Sequence, residues 1–410
     1  MKKLFALLSV LMGMSICMNA QAAQGSADTA RTDAIETYLQ SLAGSHTFAG
    51  AVVLVATRDR VVYVKAVGYR DLAAKAPMEP NDLFWIASTS KPMTATALMM
   101  LVDEGKVNLD DPVEKYLPEF HGQMVSVAQP GTGSAASEPV LVPASHPILV
   151  REILSHTSGL PFKSKAQPRA LDTLPLKDQV RSFAAEPLKF QPFTDYSYSN
   201  EGLNTAARII EVVSGMPYEQ FMQQRLFDPL GMTDTTFWPS AEQISRLATA
   251  YKYDDKAREL VAMPIDQLTY PLNDRQHRYP MPAGGLFSTA EDVSKFCRMI
   301  LNGGTLNGRR YISATALREM TSVENGGLGG SDYGFGWAVS SDGMGHGGAY
   351  NNAMEINRTK GRILIFMVQQ NGPWGTAEGK TIIKTLEPLA DSIAASSATV
   401  ASTSAEPEKH

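Results

Sequence analysis

Ser88-Thr89-Ser90-Lys91 is the one Ser-x-x-Lys in the chain. At a helix start, residues three apart share a face, so the hydroxyl and the amine can meet. The helix N-terminus favours negative charge as it develops. A lysine buried there is driven toward the neutral amine and can accept the serine proton. The same four residues also fit a serine N-cap followed by a solvated first-turn lysine. A pattern this short arises about once by chance in such a length. Tyr198-Ser199-Asn200 follows in a separate stretch. A phenol beside a cationic lysine has a lowered pKa and can serve as general base, and an asparagine offers a donor and an acceptor to an ester or amide. Tyr350-Asn351-Asn352 has the same spacing but reads also as a loop after a strand. Tyr198 is preferred because it can face Ser88 across a cleft. His346-Gly347-Gly348 is the one His-x-Gly. Glycines there allow a substrate backbone to approach a strand edge, and the Ala349 N–H can join that of Ser88 as an oxyanion hole. The expected site is therefore Ser88, Lys91 and Tyr198 for chemistry, with Asn200, His346, Gly348 and Ala349 holding substrate.

Other templates fail. There is no Gly-x-Ser-x-Gly elbow, which weakens an α/β-hydrolase reading. There is no His-Glu-x-x-His or Cys-x-x-Cys, so no metal ligand set stands out and no cofactor is expected. Gly343, Gly345 and Gly348 fit Gly-x-Gly-x-x-Gly, but no long helix follows them. Ser155-His156 offers no Ser–His pair, because adjacent side chains on a helix do not face each other. His156 reads as a buttress for the turn at Gly159, Tyr196 as a cleft wall, and Trp85 and Trp337 as core.

These residues need a scaffold, and composition bounds it. The chain has 410 residues, 44% hydrophobic and 19% charged, with a net charge of −5. That is a globular composition of two or three structural units. With no basic cluster, a nucleic-acid partner is not expected. Met1-Lys2-Lys3, the apolar run Leu4 to Met18 and Ala20-Gln21-Ala22 form a secretory signal peptide over residues 1–22. The expected location is secreted or periplasmic. Cleavage there leaves Cys297 as the single cysteine, on the apolar side of a helix. No later segment is apolar for long enough to span a bilayer. Oligomeric state is not readable.

The element order is strands, a long helical middle, then strands. Gly50 to Ala56 and Val61 to Val67 read as a hairpin. A helix runs from near Ser88 to Glu104, and residues 126 to 146 read as a loop. Leu203 to Val213 is helical and stops at Gly215. Ser288-Thr289-Ala290-Glu291 caps a helix to Leu301, and Ser313 caps another. Strands return at Gly336 to Ser340, Ala353 to Ile356 and Ile363 to Gln369, followed by a helix over about 379 to 393. Strands from both ends of the chain can join one antiparallel sheet. The expected fold is α/β (α+β): an antiparallel sheet flanked by helices, built from 24–95 and 280–394, with residues 96–279 as an inserted helical domain. Residues 395–410 are expected to be a disordered tail.

In this order, Ser88-x-x-Lys91, Tyr198-x-Asn200 and His346-x-Gly348 resemble the serine β-lactamase-related hydrolases: class C β-lactamases, D-Ala-D-Ala carboxypeptidases, D-amino-acid peptidases and family VIII esterases. Leu154-Ser155-His156-Thr157-Ser158-Gly159-Leu160-Pro161, Pro282-Ala283-Gly284-Gly285-Leu286 and Tyr333-Gly334-Phe335-Gly336-Trp337 are similar to stretches of that group. The resemblance spans roughly residues 30 to 390. It implies a β-lactamase/transpeptidase-like fold and an acyl-enzyme on Ser88, with Lys91 and Tyr198 sharing the proton work in proportions the sequence leaves open. Class C enzymes carry lysine where this chain has His346, and family VIII esterases often carry tryptophan. The expected function is cleavage of a small ester, a D-amino-acid peptide or a β-lactam. The alternative is a penicillin-recognising binding protein that acylates without turnover.

Overall fold

The structure, a computed structural model, describes residues 32–129, 139–166, 170–374 and 378–403. The expected signal peptide lies outside the described residues. Seven strands form one antiparallel sheet: β1 (Gly50–Ala56), β2 (Val61–Asp71), β3 (Ala76–Pro77), β4 (Ala338–Val339), β5 (Gly343–Gly347), β6 (Ala353–Asn357) and β7 (Arg362–Val368). Their spatial order is β4-β5-β6-β7-β1-β2-β3. The two ends of the chain therefore meet at the β1–β7 pair, where Ala51 stands opposite Val368 and Ala56 opposite Ile363.

β1 and β7 are buried along their whole length. Their side chains alternate between two cores, as strand geometry requires. Ala51, Val53, Val55, Leu364, Phe366 and Val368 face α1 (residues 32–44) and the C-terminal helix Ile382–Thr403. Val52, Leu54, Ile363, Ile365 and Met367 face the larger core, which holds α2 (Lys91–Asp103) and helix Ala290–Leu301. Near-continuous apolar strands with helices on both faces are what such two-sided burial selects.

Between the two halves of the sheet, the chain builds α3 (Val150–Leu154), α4 (Leu176–Ala184) and α5 (Asn200–Ser214). Helix Ala290–Leu301 is α6, and the C-terminal helix is α7. α5 begins at Ser199, whose hydroxyl accepts from Glu201 N and Gly202 N, and ends at Gly215 in the left-handed region. α2 differs from a surface helix, because every residue from Lys91 to Leu101 is buried. It is the hub between the sheet and the middle segment.

Several elements depart from the sequence pattern. The stretch expected as a loop contains a hairpin, Met124–Val127 paired with Val140–Pro143. Its short valine-rich strands are hidden by the Pro, Gly and Ser between them. A second hairpin, Ala250–Asp254 with Glu259–Met263, also lies in the middle segment. It pairs with Gln370–Asn371 beyond β7. α7 continues through Thr403, past the point where the apolar pattern fades. Alanine is the strongest helix former, so an Ala/Ser run can extend a helix that packing has started. Residues 404–410 lie outside the described residues.

Candidate active site

The turn that presents Ser88 is strained and clamped. Ala87 has φ +45°, in the left-handed region that residues with a Cβ rarely occupy. Residues Ala87–Ser90 form a tight 3-10 turn that runs directly into α2. Ser90 Oγ donates to Ala87 O at 2.7 Å, and Thr89 Oγ1 donates to Asn352 Oδ1 at 2.8 Å. Asn352 Nδ2 donates to Trp85 O at 3.2 Å. Asn352 thus ties both sides of the turn to the β5–β6 connection. The alternative Tyr350-x-Asn352 motif is this clamp: Tyr350 is fully buried, edge-on to Trp85 at 5.1 Å.

Lys91 is the centre of the site and is completely buried. Its Nζ lies 3.1 Å from Ser88 Oγ, 2.8 Å from Asn200 Oδ1 and 2.8 Å from Ala283 O. The two carbonyl oxygens can only accept, whereas the serine hydroxyl can donate. A neutral amine fits this set: it donates twice and receives the Ser88 proton on its lone pair. Among the described residues, no carboxylate forms an ion pair with Lys91. Burial holds its pKa well below the usual lysine range. The solvated first-turn alternative is therefore excluded. Ala283 is itself aligned by Asn204, whose Oδ1 accepts the Ala283 N–H at 3.0 Å. Asn204 follows Asn200 by one helical turn, and that i,i+4 spacing was the signal in the sequence that could have revealed it.

Tyr198 stands over the amine, with its ring centroid 4.6 Å from Lys91 Nζ, and its hydroxyl bonds to Ser88. The three expected chemical groups are thus together. The expected lowering of the phenol pKa is not found. Burial raises it, and the Ser88 hydrogen bond only partly offsets that. The expectation assumed a cationic lysine, and burial works against that charge. Burial thus disfavours the charged form of both groups, the ammonium of Lys91 and the phenolate of Tyr198.

His346 approaches from β5. Tyr333 OH bonds to its Nε2 at 3.0 Å, and its Nδ1 lies 2.8 Å from Gly347 O. Burial, then Lys91, pushes its pKa down to about 3, so it is neutral at physiological pH. β4 pairs with β5 only as far as Gly345, so the strand at His346 and Gly347 has no partner on that side. Gly348 lies against the turn that carries Ser88. A Cβ there would sit 2.4 Å from Asn352 Oδ1 and 2.5 Å from Ile86 O. This close approach sets the β5–β6 connection against the backbone just before Ser88, and only glycine permits it. Gly336, at φ +73°, likewise lets the Tyr333 loop touch Lys91 O. Tyr333 was visible in the sequence only as part of a similar stretch, with no role attached.

Ser88, Tyr198 and His346 are half-buried and reach the surface, with exposed Phe162 stacked 6.4 Å from Tyr198. A cavity of about 470 Å³ runs along β5 and β6 past His346 and Gly347, but Ser88, Lys91 and Tyr198 are not in its walls. The position of the reactive groups, and not the size of that cavity, marks the site. Tyr196 packs against His156 and Tyr333 beside the site. Trp85, Trp337 and Cys297 are buried.

A family model described as Beta-lactamase matches residues 33–385. The chain belongs to the Beta-lactamase family. An uncharacterised protein of Mycobacterium tuberculosis, MT1414, is 36% identical over 282 residues, covering 66% of this chain and 67% of its own. Esterase EstB of Burkholderia gladioli is 29% identical over 315 residues, covering 70% and 73%. Among solved structures, EstCE1, described as a hydrolase with promiscuous acyltransferase activity, aligns over 90% of this chain and 99% of its own. Its TM-score is 0.72 at 23% identity, a likeness of fold. The mixed antiparallel sheet-and-helix architecture is thus the fold of a family that contains serine hydrolases.

Proposed function

We propose that this protein is an exported serine acyl hydrolase that cleaves an ester or amide through an acyl-enzyme on Ser88, with neutral esters as its preferred substrates. The observation that carries this is a buried amine, without a carboxylate partner, in hydrogen-bond reach of a hydroxyl on a strained turn. Ser88 Oγ attacks the acyl carbon while its proton passes to Lys91 Nζ. The carbonyl oxygen, now negative, is held by the N–H groups of Ser88 and Ala349. The proton then leaves through Tyr198 to the departing alkoxide or amine. Tyr198 and Lys91 take a proton from the water that attacks the acyl-enzyme, and Ser88 is restored. Asn200 keeps Lys91 aimed and offers its amide to the substrate. Loss of one oxyanion donor typically costs about 3 kcal/mol of barrier.

The preference for neutral esters rests on His346. A neutral imidazole held by Tyr333 offers no fixed cation to a substrate carboxylate, which β-lactams and peptide C-termini carry. Likeness to an esterase supports the same reading. The test is turnover of p-nitrophenyl acetate, p-nitrophenyl butyrate and nitrocefin by the wild type and Ser88→Ala. The expected result is hydrolysis of the two esters well above nitrocefin, all of it lost in Ser88→Ala. Equal activity in the two proteins ends the proposal, and a stable penicillin adduct on Ser88 without product replaces it with the binding-protein alternative.

A further inference from the structure

His156 lies outside the reacting set, yet it is fully buried and left-handed at φ +64°. It brackets Tyr198 along the chain. Its backbone carbonyl accepts the Ser197 N–H at 3.0 Å, and its Nδ1 accepts the Ser199 N–H at 3.2 Å. Both peptide neighbours of the phenol are thus held by one residue. The imidazole also packs against the Tyr198 ring at 4.7 Å and the Tyr333 ring at 4.7 Å. Tyr333 is the residue that bonds His346. One side chain therefore touches the aromatic groups that reach the site from both halves of the chain.

An apolar residue would fill this space as well, but it would leave the Ser199 N–H without an acceptor. The imidazole meets that need while leaving its own Nε2 buried and without a hydrogen-bond partner among the described residues. A ring accepting on Nδ1 carries its proton on Nε2. An orphaned buried donor is unfavourable. Retaining one fits a demand for the acceptor on the opposite side of the ring. Burial, with Lys91 and His346 adding to it, holds this histidine far below its usual pKa and therefore neutral.

We propose that His156 is a positioning residue: its neutral imidazole fixes the backbone on either side of Tyr198 and so sets the phenol against Ser88. The proposal rests on the catalytic reading of Tyr198. It makes His156 act through Tyr198 and not through overall stability.

The experiment is a double-mutant cycle on p-nitrophenyl butyrate, with thermal melting of each protein as a check on folding. His156→Phe keeps a ring in the space and removes the acceptor. His156→Asn keeps an acceptor near the place of Nδ1. In the wild-type background, His156→Phe is expected to lower kcat by ~10- to 100-fold, with KM little changed, because small misplacements of a reacting group cost about that much. In a Tyr198→Phe background the same change should lower kcat by less than about 2-fold, since coupled groups are not additive. His156→Asn should recover part of the loss. Effects that multiply in the two backgrounds, or a kcat unchanged by His156→Phe, overturn the proposal. So does failure of both His156 variants to fold, which would assign the residue to the scaffold. Full activity in Tyr198→Phe alone would instead undo the catalytic reading itself.

Discussion

Glu201, next to Asn200 at the start of α5, has a fully buried carboxyl, and neither of its oxygens has a hydrogen-bond partner among the described residues. Burial, reinforced by Glu186, raises its pKa from 4.5 to about 9, and Lys189 offsets this only slightly. In the folded protein the group stays protonated at pH 7, whereas in the unfolded chain it ionises. The raised pKa gives the sign. Below pH 4.5 both states hold the proton and there is no penalty. As pH climbs from there to about 9, the unfolded state is increasingly favoured. At about 1.4 kcal/mol per pH unit, the penalty is about 1 kcal/mol at pH 5, about 3 at pH 7 and about 5 at pH 8. Glu201→Gln keeps the shape and removes the titration. Urea unfolding of the parent and the variant, at pH 5 and at pH 8, measures the difference directly. The advantage of the variant should grow by about 4 kcal/mol between those two pH values. A gap that stays constant within about 1 kcal/mol would show that Glu201 has the same pKa folded and unfolded, and the argument from burial would fail.

Two further outcomes follow from the site. The proposed mechanism needs Lys91 neutral, so kcat/KM should fall as pH drops through its depressed pKa. His346 is already neutral down to about pH 3, so His346→Asn should leave that acidic limb in place; a limb that vanishes in this variant would assign it to the imidazole. Gly348→Ala would force a Cβ to 2.4 Å from Asn352 Oδ1, displacing the Ala349 N–H from the nucleophile turn. It should cut ester kcat/KM by ~100-fold in protein that thermal melting shows to be folded; unaltered kinetics would separate this segment from the oxyanion site.

The groups that meet around Lys91 could be singled out in the sequence because they carry chemistry in their side chains and in short fixed spacings. Ser88, Lys91, Tyr198 and Asn200 could be paired before any geometry was known. The groups that orient them could not. Ala283 acts through a backbone carbonyl, which no residue type signals. Asn352 was visible, but its spacing suggested a rival catalytic motif; only the fold shows that its amide spans Thr89 and Trp85. Edge and hairpin strands such as Val140–Pro143 gave weak periodicity because they are short and largely exposed. The buried strands β1 and β7 were clear, because burial on both faces forces an unbroken apolar run. The tyrosine pKa departs from expectation for a related reason: burial of the phenol raises it, and spacing does not encode burial.

The same burial explains why this lysine is held by one side-chain amide and one backbone carbonyl, with no carboxylate among its partners in the described residues. A fixed anion at position 200 or near Ala283 would stabilise the ammonium form, raise the pKa and take the lone pair out of use. Asn200 Oδ1 and Ala283 O orient Nζ without that charge. Their arrangement needs α2 enclosed on every side, which only a helix wedged between sheet and middle segment provides. The strained Ala87 turn can be tolerated for the same reason. The large core around α2 and the Asn352 clamp over-determine the backbone there, so strain that would relax in a surface loop stays fixed at the nucleophile. The position of the helix within the fold thus sets both the burial of the amine and the half-buried hydroxyl beside it.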